Sequence, residues 1–160
     1  MDTYVRPYDA ARDAEGLRQC VIEQQDFHRN LEPSWPTGDT IVDEYLEYLW
    51  DRCADQDGVV MVADRDGELV GFICVVASMR NDAPDDPAPF AWVHDIFVRP
   101  AFRRAGIATK LMAEAETFAQ AHSASTLRFG VLGRNTKARA FYAQQGYREY
   151  VLVMTKSLGG

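Results

Sequence analysis

The sequence R-R-A-G-I-A, residues 103–108, contains the feature that decides the fold. It lies between an apolar run predicted as a strand, residues 91–98, and a segment predicted as a helix that ends near Ala121. The first backbone N–H groups of a helix lack acceptors within the helix, and the helix dipole adds positive charge there. Gly106 lets a ligand approach the main chain because it has no Cβ, and Arg103 and Arg104 add charge for a phosphate. The stretch therefore predicts a pyrophosphate site.

Length and composition favour one globular domain over residues 1–160. The chain is 47% hydrophobic, which is enough for one core. No apolar run approaches the roughly 20 residues of a membrane span, and no signal-peptide pattern is visible. The widely spaced Cys20, Cys53 and Cys74 indicate reduced thiols rather than a disulfide framework. We therefore expect a cytoplasmic protein with no membrane partner.

Charge and histidine spacing exclude two further classes of ligand. His28, His94 and His122 show no Cys/His ligand spacing, so we expect no metal. The net charge of −7 argues against nucleic-acid binding. Residues 1–80 carry 17 Asp and Glu against seven Arg, a net charge of −10, whereas residues 81–160 carry seven acids and ten Lys and Arg, a net of +3. This asymmetry suits two ligands of opposite charge, although ordinary solvated surface explains the same charges.

The hydrophobic pattern predicts alternating strands and helices. Strands are predicted at residues 3–7, 59–63, 69–77, 92–98, 127–132 and 151–155. Helices are predicted after an N-cap at Asp9, over residues 40–53, after the phosphate stretch, and from Asn135 to Gly146. The turn D-R-D-G at residues 64–67 predicts a hairpin, residues 31–39 a loop and residues 79–89 an exposed connection. Tyr48 and Trp50 are expected in the core.

Two motifs resemble those of the GCN5-related N-acetyltransferase superfamily. The signature Q/R-x-x-G-x-G/A matches Arg103, Gly106 and Ala108, and F-V-R-P at residues 97–100 precedes it. The run N-T-K-A-R-A-F-Y-A-Q-Q-G-Y, residues 135–147, resembles the motif N-x-x-A-x-x-F-Y-x-x-x-G-F/Y. The resemblance implies a single-domain α/β (α+β) fold. Its twisted sheet is mixed and mostly antiparallel, with six or seven strands, about four flanking helices and a splayed parallel strand pair.

The resemblance implies acetyl-CoA, or another acyl-CoA, as cosubstrate. The pantetheine would run between the strands at residues 92–98 and 127–132, and main-chain amides would hold the pyrophosphate. The implied cofactor-binding residues are Ile96, Phe97, Val98, Arg103, Arg104, Ala105, Gly106, Ile107, Ala108, Thr109, Asn135 and Tyr142. The chain contains neither the G-x-G-x-x-G fingerprint nor a P-loop, so a nucleotide-binding alternative fails.

Transfer to an amine needs an acid and a base. Tyr142 matches the family's tyrosine that approaches the thioester sulfur, and a phenol with a pKa of about 10 can protonate a thiolate of similar basicity. Alternatively, Tyr142 only packs the helix onto the sheet. For the base we consider His94, which stands where some relatives have glutamate, and its neighbour Asp95. Adjacent strand residues are expected on opposite faces, so both cannot address one site.

The acceptor pocket is expected between the first two helices. Phe27, His28, Glu32 and Trp35 combine a carboxylate with aromatic rings, which suits a cationic amine. The same residues would also serve as core cover or solvated surface. The sequence therefore predicts an N-acetyltransferase that transfers an acetyl group from acetyl-CoA to a primary amine of a small molecule, a peptide or a protein, by direct attack in a ternary complex. The alternative is a non-catalytic acyl-CoA-binding or regulatory domain, and a homodimer is common among similar proteins.

Overall fold

The computed structural model describes residues 2–159, in which five strands and four α-helices are found. In chain order they are β1 (Thr3–Pro7), α1 (Ala10–Leu31), α2 (Gly38–Asp55), β2 (Gly58–Arg65), β3 (Glu68–Met79), β4 (Phe90–Val98), α3 (Ile107–Ala121), β5 (Thr126–Phe129) and α4 (Thr136–Gln144). A short 3-10 turn, Pro100–Phe102, follows β4. Two compact units divide at Gly130, and the second contains α4.

The strands of the first unit form one sheet in the order β1-β2-β3-β4-β5. Neighbours are antiparallel except β4 and β5, which run parallel. The predicted hairpin between β2 and β3 is confirmed: Asp66 and Gly67 have φ of 55° and 86°, the conformation that a two-residue turn requires. The Asp64 carboxylate accepts a hydrogen bond from the Gly67 amide at 2.9 Å and fixes this turn.

Helices α1 and α2 cover one face of the sheet. Their shared core is a cluster of fully or nearly buried side chains: Leu17, Cys20, Val21, Val42, Leu49, Val60, Val62, Leu69, Phe72, Cys74 and Phe97. The two helices approach closely at Gly38, where a Cβ would lie 2.3 Å from the Ile22 carbonyl oxygen. The Asp26 carboxylate accepts a hydrogen bond from the Gly38 amide at 2.7 Å and so joins α1 to the start of α2.

Helix α3 packs against β3 and β4 with a separate apolar stripe. Ile107, Leu111, Met112 and Ala115 are buried but do not belong to the α1–α2 cluster. Because strand side chains alternate between faces, buried residues such as Ile73 and Val75 are available to this helix on the opposite face. The predicted helix of residues up to Ala121 is confirmed.

Four expectations about the elements and the core are wrong. The described sheet has five strands rather than six or seven. Residues 151–155 form no strand, because strand propensity needs a neighbouring strand to hydrogen-bond and their own unit contains none. The strand predicted at 127–132 ends at Phe129, where its pairing stops. Tyr48 and Trp50 are 44% and 36% exposed and so are not core residues. They lie at the margin of α2, where the Tyr48 ring contacts His94 and the Trp50 ring contacts Tyr8.

Candidate active site

Strand β5 covers only the first part of β4. Their parallel pairing runs from Phe90 with Thr126 to Val93 with Phe129, which is the last residue of β5. Strand β4 continues to Val98 with β3 on its other side. Residues 94–98 therefore have an edge that no strand covers within the described part of the chain. Such an edge carries main-chain N–H and C=O groups without a strand partner, and these groups can bind an extended ligand.

Two carbonyl groups on β4 accept hydrogen bonds from side chains. The Gln24 amide of α1 donates to the Ile96 carbonyl at 3.3 Å, and the Arg103 guanidinium donates to the Val98 carbonyl at 2.9 Å. Each carbonyl belongs to the stretch where the sequence predicts pantetheine contacts. A pantetheine that accepts or donates along this edge must share these carbonyls with the two side chains or displace them.

The start of α3 is an open helix N-terminus just beyond β4. Gly106 is the N-cap residue, with φ of 74°, and it provides no side-chain cap. A Cβ at Gly106 would meet nothing within 4 Å, so open space adjoins the main chain at this turn. Ile107 is buried and anchors the first turn, whereas Thr109 is exposed. The first-turn amides are thus presented to a ligand, as a phosphate site requires.

The two arginines before this turn differ. The Arg103 guanidinium lies 5.2 Å from the centre of the Phe27 ring and 5.4 Å from that of Phe97, besides its bond to Val98. Burial lowers the pKa of Arg103. Arg103 therefore ties the turn to the end of β4 and to α1. Arg104 is exposed and has φ of 65°, so its side chain is the freer of the two to meet an anion.

A β-bulge in β4 changes the geometry expected for the two candidate bases. Cys74 of β3 is paired with Asp95, but the next residue, Val75, is paired with Val93. His94 is the extra residue, and a bulge breaks the strict alternation of side chains. Both His94 and Asp95 consequently contact tyrosines of α2, so the expectation that they address opposite faces is wrong.

Asp95 is a buried carboxyl group held by two helices. It is 8% exposed, and it accepts a hydrogen bond from the Tyr45 hydroxyl of α2. The Gln24 side chain of α1 is a second hydrogen-bonding neighbour. Burial raises the pKa of Asp95 to about 7, and the Gln24 hydrogen bond opposes this rise. A carboxyl group with such a pKa can exchange a proton near neutral pH.

His94 lies beside Tyr48 and Arg52. Its Nδ1 is 3.3 Å from the Tyr48 hydroxyl, and the two rings meet edge to face at 5.6 Å. Burial and the positive charge of Arg52 lower the pKa of His94, so the imidazole is neutral at pH 7. Its Nε2 is buried and has no hydrogen-bond partner among the described residues. His94 is therefore a weaker base than an ordinary histidine.

Sequence reasoning missed Gln24, Tyr45 and Tyr48 as members of this cluster. Gln24 is 5% exposed and lies four and seven residues beyond the buried Cys20 and Leu17, on the same face of α1. A polar residue on an apolar helix face was the available signal. The tyrosines gave none, because their spacing on α2 is that of ordinary core residues.

The predicted acceptor residues gather at the end of α1. The ring of His28 lies 6.1 Å from Phe27 and 6.0 Å from Trp35, and burial lowers the pKa of His28. Trp35 is 39% exposed, and its carbonyl accepts a hydrogen bond from Arg29. Glu32 is the C-cap residue of α1, and its backbone amide bonds to the His28 carbonyl. These contacts join three aromatic rings in one partly exposed group.

The second motif folds as a helix in the second unit. The Asn135 side chain caps α4 by accepting a hydrogen bond from the Ala138 amide at 3.1 Å, and Gly146 follows the helix with φ of 91°. The predicted cap and helix end are confirmed. The Tyr142 ring is half-buried and packs edge to face on Phe141 and Tyr147. The role of Tyr142 as an acid stays a prediction.

The described residues contain neither a cluster of metal ligands nor a helix that could span a membrane. Within residues 2–159, no group of three or more His, Cys, Asp or Glu side chains is arranged to hold a metal ion. None of the described helices combines the length and apolar character that crossing a membrane requires.

Known proteins are similar to this chain in sequence. The family model described as the acetyltransferase (GNAT) family matches residues 24–147. An uncharacterized N-acetyltransferase of Archaeoglobus fulgidus is 34% identical over 136 residues, which is 85% of this chain and 89% of that protein. Another, from Bacillus subtilis, is 28% identical over 102 residues, or 64% of this chain and 66% of that protein.

Solved structures have the same architecture. A protein from Bacillus halodurans has a TM-score of 0.83 at 16% identity, over 97% of this chain and 99% of that one. The aminoglycoside N-acetyltransferase AAC(6')-Iy, solved with CoA, has a TM-score of 0.71 at 21% identity, over 98% and 94% of the two chains. With the family match, these findings confirm the resemblance read from the two motifs. The chain belongs to the acetyltransferase (GNAT) family and is an acyl-CoA-dependent acetyltransferase.

Proposed function

We propose that this protein transfers an acetyl group from acetyl-CoA to a cationic primary amine by direct attack in a ternary complex. The observation that carries the proposal is the juxtaposition of two features on one strand. Strand β4 loses its parallel partner after Val93, and the open N-terminus of α3 begins nine residues beyond its end. A thioester arm and a pyrophosphate need these two environments in this order.

The donor is held mainly by the main chain in this proposal. The amides of residues 104–109 bind the pyrophosphate, aided by the charge of Arg104. Groups of Ile96, Phe97 and Val98 bind the pantetheine along the open edge of β4. Asn135 and Tyr142 of the second motif complete the donor site, as the family resemblance implies. Acetyl-CoA is the donor that we favour among acyl-CoA esters.

The chemistry moves two protons and one acetyl group. The neutral amine nitrogen attacks the thioester carbonyl, the new C–N bond forms, and the C–S bond breaks. Tyr142 gives a proton to the departing thiolate, and His94 or Asp95 accepts the proton that the amine loses. A covalent acyl-cysteine intermediate has no support, because Cys20, Cys53 and Cys74 all lie outside both motifs.

The acceptor is proposed to carry positive charge. Residues 1–80 have a net charge of −10, and they include both helices that flank the bases. The aromatic group of Phe27, His28 and Trp35 suits the alkyl and cationic parts of an amine, with Glu32 as its carboxylate. The three free thiols fit a reducing compartment, so we place the reaction in the cytoplasm.

A thiol-release assay tests this function. The purified protein and acetyl-CoA are mixed with separate amines: polyamines, aminoglycosides, amino acids and lysine-containing peptides. We expect release of CoA thiol that depends on the amine and saturates with at least one class. Acetyl-CoA binding without release in the presence of every class would favour a non-catalytic acyl-CoA-binding domain instead.

A further inference from the structure

Asp95 is well placed to accept a proton but poorly placed to meet an amine. It follows the last β4–β5 pair by two residues, so it lies on the part of β4 that β5 does not cover. Its side chain is nevertheless almost completely buried beneath α1 and α2. Direct contact with a hydrated ammonium group would require that cation to enter the core, which is costly.

Tyr45 is a partly buried residue that is hydrogen-bonded to this carboxyl group. Its hydroxyl donates a hydrogen bond to the Asp95 carboxylate, while its side chain is only partly buried on α2. The ring lies 5.8 Å from that of Tyr48, which is 44% exposed. A hydroxyl group that donates one proton and accepts another can pass a proton without carrying a lasting charge.

We propose that Tyr45 is a proton relay between the acceptor amine and Asp95, and that these two residues together are the general base. The proposal rests on the proposed function. The ammonium group gives a proton to the Tyr45 oxygen as the Tyr45 hydroxyl proton moves to Asp95, so the amine becomes neutral and Asp95 becomes protonated. The nitrogen loses a second proton after the C–N bond has formed, and this proton replaces the one that Tyr142 gives to the thiolate. The first proton then leaves Asp95 through Tyr45 to water, and the pair returns to its starting state.

His94 is less suited to this task. Its pKa is lowered by burial and by Arg52, its Nδ1 faces Tyr48, and its Nε2 is buried away from polar groups among the residues described. The bulge at His94 instead explains how β4 turns Asp95 toward Tyr45. His94 is therefore a positioning residue in this proposal.

The titration of Asp95 is set by few neighbours. From α2 it faces Tyr45, and from α1 it faces the neutral Gln24. From β3 it is paired with Cys74, whose thiol stays protonated because burial and Cys53 raise its pKa. On β4 itself the adjacent titratable group is His94, which is neutral at pH 7. We therefore assign the fall of kcat/KM at low pH, the acidic limb of the pH–rate profile, to protonation of Asp95.

The test compares Tyr45→Phe with Tyr48→Phe, its matched control one helical turn away. The wild-type kcat/KM should fall as pH drops through about 7, because the base must be ionised. Tyr45→Phe should lower kcat/KM at least tenfold on the alkaline plateau. It should also move the midpoint to higher pH, because the carboxylate loses a donor. Tyr48→Phe should keep the wild-type midpoint, and Asp95→Asn should abolish the acidic limb.

Carbon-13 NMR of labelled aspartate carboxyl groups supplies a readout that needs no acceptor. Asp95, assigned by its loss in Asp95→Asn, should titrate at higher pH in Tyr45→Phe than in the wild type. An unchanged titration, or an unchanged rate profile with an active wild type, would overturn the relay alone. A wild type that acetylates no amine overturns the proposed function, and the relay with it. Unchanged acetyl-CoA affinity and a cooperative melting transition show that the variants are folded.

Discussion

Gly106 is the residue on which we expect donor binding to depend most. It is exposed at the start of α3 with φ of 74°, and open space lies where its Cβ would be. Gly106→Val puts a branched side chain into that space and strains the backbone. We expect acetyl-CoA affinity to fall at least tenfold, as measured by isothermal calorimetry.

Gly67 provides the control for Gly106. It also has positive φ, 86°, and open space around its Cβ position, but it lies in the β2–β3 turn. Gly67→Val should lower the melting temperature about as much as Gly106→Val does, because both variants strain the backbone. It should leave acetyl-CoA affinity as in the wild type. Equal affinity in Gly106→Val and the wild type would exclude the pyrophosphate site from this turn.

Tyr142 is expected to act on the leaving group. Tyr142→Phe keeps the ring and its packing on Phe141 and Tyr147 but removes the hydroxyl. We expect kcat to fall about 100-fold, the usual range for a lost general acid, with less than a twofold change in acetyl-CoA affinity. Tyr147→Phe, on the neighbouring ring, is the control. A Tyr142→Phe enzyme with wild-type kcat would remove this residue as the acid.

Asp95 should also make stability depend on pH. Its pKa is about 7 in the folded protein, against about 3.9 in an unfolded chain. The folded state therefore binds the extra proton, and this contribution is complete below pH 4 and is lost as pH rises through 7. Asp95→Asn cannot ionise, so its melting temperature relative to the wild type should be higher at pH 8 than at pH 5. The same difference at both pH values would contradict a raised pKa.

At the scale of elements, the α1–α2 contact positions Gln24 and Tyr45. Gly38→Ala would place a Cβ 2.3 Å from the Ile22 carbonyl oxygen and 2.6 Å from the Ile22 Cα. Because both are backbone atoms, the helices must move apart, at a cost of about 2 kcal/mol or more. Chemical denaturation should show this loss, whereas Gly133→Ala, with no atom within 4 Å of its Cβ position, should show almost none. Equal stability of the two variants would contradict close packing.

Elements with a local cause were predictable from sequence. The Asp9 cap, the turn at Asp66 and Gly67, and the Asn135 cap each follow from residues that bond to their own neighbours. The bulge at His94 was not predictable, since it depends on how β3 and β4 align. It brings His94 and Asp95 of β4 against α2 together. The choice of one of them as the base depends on their burial and their hydrogen-bond partners, which only the fold supplies.

At the scale of the whole molecule, the proposed donor site was easier to predict from sequence than the cluster around Asp95. The proposed pyrophosphate site is a local turn whose residues are consecutive, so a short motif records it. The cluster around Asp95 draws residues from α1, α2 and β4, which are distant in sequence. The single domain over residues 1–160 and the homodimer stay predictions, as does the cytoplasmic location.

The most direct test of acetyl transfer from acetyl-CoA to an amine is the stoichiometry of a complete turnover. Acetyl-CoA and a saturating amine are incubated with the enzyme, and CoA thiol and acetylated amine are quantified in the same sample by mass spectrometry. Direct transfer in a ternary complex predicts one acetylated amine for each CoA released, with no acetyl group left on the protein. Release of CoA and free acetate without acetylated amine, or no release with any amine, would contradict it.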